Sequence, residues 1–181
     1  KNYDDFSASF SQTRDYVPEN IAALLEGFVR SGDRVLDIGC GNGRLFPFFE
    51  SKKTNYFGID VSSALIEIAG RKHPSADFAV ADALNLPFAA AVFDMAVSWA
   101  VLHHIPSEEY RRDFFREAFR ALKPGGRFIV AVWDLRPETM IQKRQWRRLK
   151  SFLKSQVKIM FGRQKLDRGD FFILWQKKYR R

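Results

Sequence analysis

Cysteine is nearly absent from this sequence of 181 residues, in which Cys40 is the single example. One thiol excludes an internal disulfide and a cysteine-based zinc site, and such sparing use is typical of a reducing cytoplasm. The sequence also has no apolar run near the roughly 20 residues that span a membrane. Its polar start, residues 1–5, lacks the apolar segment of a signal peptide. We therefore expect a cytoplasmic protein in which Cys40 is a small buried residue.

Acidic residues are scarce at the end of the sequence. Residues 138–181 contain 14 Lys or Arg and 3 Asp or Glu, which gives a net charge of +11. Residues 1–137 contain 16 basic and 18 acidic residues, which gives −2 and leaves the total at +9. Any affinity for a polyanion or an anionic membrane is therefore expected in the basic tail, defined here as residues 138–181.

Short apolar runs alternate with amphipathic stretches in the middle of the chain, which indicates βαβ units and a parallel sheet. Five strands are predicted, at residues 34–38, 55–59, 77–80, 93–98 and 127–133. Helices are predicted at 43–50, after Ser62 or Ser63, and at 108–122, where a Pro-Gly-Gly stop follows. The last strand is apolar enough to be buried on both faces. We expect a Rossmann-like, doubly wound α/β fold with a mostly parallel sheet of order 3-2-1-4-5.

Three alternate glycines, Gly39, Gly41 and Gly43, follow the first predicted strand and precede a helix. Glycine suits a backbone that turns tightly and approaches a ligand, and such loops form the usual ligand site of open α/β sheets. The dinucleotide fingerprint does not fit, because its last position would fall on Arg44. Asp37 would repel a pyrophosphate, but it suits a ligand with an ammonium and a sulfonium group, which S-adenosylmethionine (SAM) carries.

Carboxylates follow the next two predicted strands. Asp60 lies 21 residues after Gly39 and can accept hydrogen bonds from both ribose hydroxyls of a nucleoside. Asp82 follows the third strand, and residues 122–130 form a turn into the fifth. Together with the glycine loop, these motifs resemble those of the class I SAM-dependent methyltransferases.

This resemblance implies an enzyme with SAM as methyl donor and S-adenosylhomocysteine as product. It implies that Asp82 accepts from the adenine amino group, with Val61 and Leu84 beside the ring. The residues expected to bind the cofactor are Asp37, Gly39, Gly41, Gly43, Asp60, Val61, Asp82, Ala83 and Leu84.

Further short motifs resemble the family that methylates carboxymethyl-uridine at the wobble position of tRNA. They lie at residues 10–14, 100–105, 111–112, 130–133, 169–175 and 179–181. The resemblance implies carboxyl O-methylation, with Arg14 and either His103 or His104 holding the acceptor, and a small activating protein subunit. No carboxylate or cysteine cluster accompanies the histidines, so no metal site is expected. The family's fold has two strands beyond the fifth, and we expect this sequence to stop before them.

Residues 1–137 are expected to form the SAM-binding core with an N-terminal helical lid. The basic tail is expected to be aromatic-rich and to contribute to substrate binding, with an amphipathic helix at residues 141–161. It would bind tRNA phosphates and stack on unpaired bases, lie on an anionic membrane, or pack on the sheet with its charges solvated. Two other functions stay open, methylation of a small-molecule or lipid-linked acceptor and SAM and RNA binding without catalysis.

Overall fold

A five-stranded sheet organises the protein. The structure is a computed structural model that describes residues 16–132, 173–175 and 178–180. The strands are β1 (Arg34–Ile38), β2 (Asn55–Asp60), β3 (Asp77–Val80), β4 (Phe93–Trp99) and β5 (Leu122–Ala131). They lie in the order β3-β2-β1-β4-β5, and every neighbouring pair is parallel. The predicted fold class and strand order are therefore confirmed.

Helices cover both faces of this sheet. They are α1 (Glu19–Glu26), α2 (Phe46–Ser51), α3 (Ser63–Lys72) and α4 (Glu108–Ala121). Successive residues of β1 point to opposite faces, so Val35 packs in one core cluster and Leu36 in the other. The Val35 cluster includes Phe49 from α2, whereas the Leu36 cluster includes Phe114 from α4. The sheet is thus covered on both faces, as a doubly wound fold requires.

The helix after the glycine loop begins later than predicted. It starts at Phe46 rather than at Gly43, because Gly43 has a φ of +75° that a right-handed helix does not accept. The next predicted helix start is confirmed at α3. There the Ser62 hydroxyl caps the helix by accepting from the Leu65 amide at 3.3 Å.

The fifth strand differs most from the prediction. It begins at Leu122, directly after α4, and pairs with β4 through a register shift. Residues 127–131 are only half-buried, so the predicted burial on both faces is wrong. The reason is position, because within the described residues β5 is an edge of the five-stranded sheet and pairs only with β4.

A second, separate sheet follows β5 in the sequence. It pairs β6 (Ile173–Trp175) with β7 (Lys178–Arg180) in antiparallel fashion, and within the described residues it does not join the main sheet. The predicted helix at 141–161 lies outside the described residues. None of the helices among the described residues is both long and apolar enough to cross a bilayer.

Candidate functional site

The glycine loop forms a tight turn at the carboxyl end of β1. Gly39, Gly41 and Gly43 have φ values of +78°, +59° and +75°, a conformation that strains other residues. The amides of Gly39 and Cys40 both donate to the Ile59 carbonyl at 2.8 Å, which fixes the loop to the end of β2. The predicted role of the glycines as conformational requirements is therefore visible in the backbone.

Asp60 joins the same loop to β2 through its side chain. Its Oδ2 accepts from the Gly41 amide at 3.0 Å, and its Oδ1 accepts from the Ser62 amide at 2.9 Å. These bonds orient the carboxylate at the end of β2, the position from which such folds bind a ribose. The glycine loop and Asp60, separated in the sequence, thus form one site.

An exposed apolar patch adjoins Asp60. Val61 is 67% exposed, and Val80, which is Asp60's partner in the register of β2 and β3, is 54% exposed. Asp82 follows at the end of β3, where its Oδ1 accepts from the Leu84 amide at 2.9 Å. Polar oxygens beside apolar side chains suit a flat heterocyclic ring with an amino group. Sequence reasoning missed Val80, although it is the last residue of a predicted strand.

Asp37 is a buried carboxylate beneath the glycine loop, and only 1% of its surface is exposed. Its Oδ2 accepts from the Tyr56 hydroxyl at 2.6 Å, whereas its Oδ1 has no hydrogen-bond partner within the described structure. Burial raises the pKa of Asp37 from 3.8 to about 7, although the Tyr56 bond and the nearby Arg44 oppose that rise. An unsatisfied buried oxygen is costly. This position therefore fits a ligand that brings a donor or a positive charge.

The two histidines lie in a short 3₁₀ helix, Leu102–His104, after β4. Their rings are 4.2 Å apart, and both ring nitrogens of His103 are shielded from solvent. Arg111 of α4 donates to the Ile105 carbonyl at 3.1 Å and so braces this segment. The structure thus places both predicted histidines at the carboxyl end of β4, beside the glycine loop at the end of β1.

Val101 connects the histidine segment to the glycine loop. A Cβ atom built on Gly39 would lie only 2.3 Å from Cγ2 of Val101. The two segments are therefore in van der Waals contact, and a larger residue at position 39 would push them apart. Nothing in the sequence indicates this contact, because the two residues are far apart along the chain.

Three further sequence predictions concern Arg14 with the N-terminal lid, Cys40, and a metal site. Arg14 lies outside the described residues, as does most of the expected N-terminal lid. Cys40 is buried, and its burial raises the pKa of its thiol well above the usual value, which suits an inert core residue. No cluster of three or more His, Cys, Asp or Glu is arranged for a metal ion within the described part of the chain.

Comparisons with known proteins agree with the fold. The family model for a methyltransferase domain matches residues 36–130. A tRNA (carboxymethyluridine(34)-5-O)-methyltransferase from Arabidopsis thaliana is 38% identical over 144 residues, which are 80% of this chain and 34% of that protein. A SAM-dependent methyltransferase from Methanosarcina mazei has a TM-score of 0.56 and 32% identity, over 59% of this chain and 55% of that one.

One further solved structure is similar in fold. It is the complex between the Haloferax volcanii Trm112 methyltransferase activator and a methyltransferase, with a TM-score of 0.64 and 24% identity over 78% of this chain and 66% of that one. The chain spans 21–47% of the length of the first curated relatives that it matches.

Gly39→Ala is expected to destabilise the protein more than Gly32→Ala does. Both positions have a left-handed φ, +78° and +83°, so each alanine costs about 1 kcal/mol in the backbone. Only the Gly39 substitution also meets Val101, whereas no atom of the described residues lies within 4 Å of a Cβ at Gly32. Urea unfolding of the two variants measures the difference. Equal losses of unfolding free energy would show that the Val101 side chain moves aside at little energetic cost.

Asp37→Asn is expected to change the pH dependence of stability. The pKa of Asp37 in the folded protein, about 7, exceeds its ordinary value of 3.8, so between these two pH values the folded state holds a proton that the unfolded state has lost. The unfolding free energy of the cofactor-free wild type therefore decreases as pH rises from about 4 to 7, by up to about 1.4 kcal/mol per pH unit from this group. The asparagine variant lacks this decrease and is the more stable protein at pH 8. Urea unfolding of both proteins at pH 5 and pH 8 tests this. The prediction is wrong if the unfolding free energy changes by the same amount between the two pH values in both proteins.

Proposed function

Because the chain belongs to the methyltransferase domain family and has the class I SAM-dependent fold, we propose that it methylates the carboxylate of carboxymethyl-uridine at the wobble position of a tRNA. The buried Asp37 oxygen beside the glycine loop carries the cofactor half of this proposal. The acceptor half rests on the Arabidopsis relative and on the motif at residues 100–105, which follows β4 and resembles that of the wobble-uridine family.

The cofactor site is proposed to run along the carboxyl ends of the strands. Asp82 would bind the adenine amino group between Val61 and Leu84, and Asp60 would bind the ribose hydroxyls. Asp37 would attract the cationic end of the ligand. When bound, SAM supplies a methyl group activated by its sulfonium.

The acceptor needs orientation more than activation. A carboxylate is already ionised at neutral pH, so no general base is required. The protein would hold it in line with the methyl group and exclude water. Either His103 or His104 is proposed to hold the acceptor together with Arg14, whose guanidinium can bind a carboxylate through two hydrogen bonds. The contact between Val101 and Gly39 would keep the histidine segment in place relative to the cofactor loop.

Recognition of RNA is assigned to the basic tail rather than to the core. Residues 16–132 contain 13 Lys or Arg and 14 Asp or Glu, a net charge of −1. Three arginines of α4 are matched by acidic neighbours on the same helix: Arg112 with Glu108, Arg116 with Asp113 and Arg120 with Glu117. Such a surface attracts a polyanion weakly. The division at residue 137 into a SAM-binding core and a substrate-binding tail is part of this proposal.

A small activating subunit and a cytoplasmic location complete the proposal. The fold match to a methyltransferase solved with the Trm112 activator supports the subunit. The single cysteine supports a cytoplasmic location, because proteins of a reducing compartment rarely depend on disulfides.

Methyl transfer is the direct test of this function. The full chain, with and without an activator, is incubated with methyl-labelled SAM and a tRNA that carries carboxymethyl-uridine at the wobble position. We expect a base-labile methyl ester on this tRNA and none on the same tRNA with unmodified uridine. His103→Ala and His104→Ala are compared, and the variant that removes the acceptor contact should slow transfer by roughly tenfold to a hundredfold. Labelling of a small-molecule or lipid extract instead would favour that acceptor class, and SAM binding without any transfer would favour a non-catalytic module.

Neutralising the tail is expected to weaken RNA binding and its salt dependence. Filter binding of bulk tRNA compares the wild type with Lys143→Gln/Arg144→Gln/Arg147→Gln/Arg148→Gln. Each lost phosphate contact should reduce the slope of log affinity against log salt by about 0.7–0.9. The control Arg112→Gln/Arg116→Gln removes arginines that are paired on α4, so its slope should match the wild type. A larger effect of the control would place the RNA on the core and contradict the assignment.

A further inference from the structure

The loop between β3 and β4, residues 81–92, begins with the side chains proposed to contact adenine. In its first half, Oδ1 of Asp82 accepts from the Leu84 amide at 2.9 Å, and the Asp82 carbonyl accepts from the Asn85 amide at 3.1 Å. These bonds shape the turn from within the loop, so they do not fix its direction relative to the sheet.

Two side chains of α4 fix the middle of this loop. Oε2 of Glu117 accepts from the Leu86 amide at 2.8 Å. The guanidinium of Arg120 donates to the Leu86 carbonyl at 3.0 Å and to the Phe88 carbonyl at 2.7 Å. Both backbone polar groups of Leu86 are thus bonded to α4, although helix and loop are about 30 residues apart in the sequence.

Glu117 and Arg120 also bind each other through two hydrogen bonds. Nε of Arg120 donates to Oε1 of Glu117 at 2.8 Å, and Nη2 donates to Oε2 at 2.7 Å. Their side chains are 16% and 35% exposed, whereas both members of the Glu108–Arg112 pair on the same helix are 73% exposed. A bidentate pair with less contact with water holds a more definite geometry than a fully solvated one.

The position of Glu117 on α4 is not explained by the helix itself. Glu117 lies at the helical spacing of Phe114, Ala118 and Ala121, which are the buried residues of α4. An apolar side chain would suit this stripe, and a carboxylate there needs hydrogen-bond partners. The Leu86 amide and the Arg120 guanidinium are those partners, so the pair is explained by its contact with the loop.

Apolar packing holds the same loop independently of this pair. Leu86 is buried in the core cluster that contains Leu36, and the Phe88 ring lies 4.9 Å from that of Phe93 and 6.4 Å from that of Phe57. Without the pair, these contacts keep the loop on the core but do not direct its backbone. A shift of about 1 Å is enough to spoil a directional contact.

We propose that Glu117 and Arg120 are positioning residues that orient Asp82 toward the adenine amino group and so set the preference for adenine over other bases. They act through the backbone of Leu86 and Phe88 rather than by touching the ligand. The inference rests on the proposed SAM-dependent function. The competing explanation is that the pair only fastens the loop to α4 and contributes to folding.

Two ligands that differ at the amino group separate these explanations. S-adenosylhomocysteine carries this group, whereas S-inosylhomocysteine has a carbonyl oxygen in its place. Calorimetry on the full chain measures both. The wild type should prefer S-adenosylhomocysteine by roughly tenfold or more, and Asp82→Ala should remove most of this preference. Arg120→Gln should reduce the preference by about threefold to tenfold, with most of the loss in S-adenosylhomocysteine affinity.

Conservative and control variants sharpen the comparison. Glu117→Gln keeps an acceptor for the Leu86 amide, so it should retain more of the preference than Glu117→Ala does. Arg116→Gln is the matched control, since Arg116 is an arginine of the same helix paired with Asp113 three residues away, and it should change neither affinity. Urea unfolding of each variant confirms that the comparison is between folded proteins.

A double-mutant cycle tests whether the pair acts through Asp82. In the Asp82→Ala background, Arg120→Gln should reduce the preference no further, because the group that it positions is gone. If Arg120→Gln weakens both ligands equally, or acts equally in both backgrounds, the pair contributes only to folding and the inference is wrong, while the cofactor proposal stands. A wild type that binds both ligands equally also overturns the inference. If the wild type binds neither, the proposed function fails and the inference fails with it.

Discussion

A carboxylate buried beneath a glycine loop is the constraint around which this site is organised. Asp37 is held by Tyr56 through one oxygen, and burial raises its pKa to about 7. Selection for stability alone would replace this carboxylate with an uncharged side chain, because an isolated buried charge is costly. Its presence is explained if a cationic ligand satisfies it. Under the proposed function, Asp37 lowers the stability of the cofactor-free protein and favours a positively charged ligand over a neutral one.

The order of the strands places the ends of β2, β1 and β4 side by side, so the proposed site extends along one edge of the sheet. The glycine loop is bonded to Ile59 and Asp60 at the end of β2, so β1 and β2 present their ligand-binding groups together. On the other side, Val101 packs on Gly39 and brings the histidine segment of β4 to the same loop. The residues proposed to bind the cofactor and the acceptor are thus held together by the glycine loop. The near-neutral charge of the core and the +11 charge of residues 138–181 are the basis for proposing that RNA binding belongs to the tail.

The sequence was informative where local patterns decide structure. Strands β1 to β4 were predicted to within one residue, because each is an apolar run that ends in a recognisable motif. The start of α2 and of β5 was predicted wrongly. Positive φ angles in the glycine loop delay the helix, and β5 follows α4 without a loop and continues through Pro124 and Gly125. The family resemblance was confirmed by the comparisons. The contacts of Tyr56 with Asp37 and of Arg120 with Leu86 were not predicted, since they join residues that only the folded chain brings together.

Calorimetric titration of S-adenosylhomocysteine at pH 6 and pH 8 is the decisive measurement of the cofactor site. We expect micromolar binding that strengthens by up to about tenfold as Asp37 ionises, and loss of binding in Asp60→Ala, which removes the ribose acceptor. If the folded chain binds no S-adenosylhomocysteine, or binds it equally at both pH values and in Asp60→Ala, then Asp37 and Asp60 do not form a cofactor site.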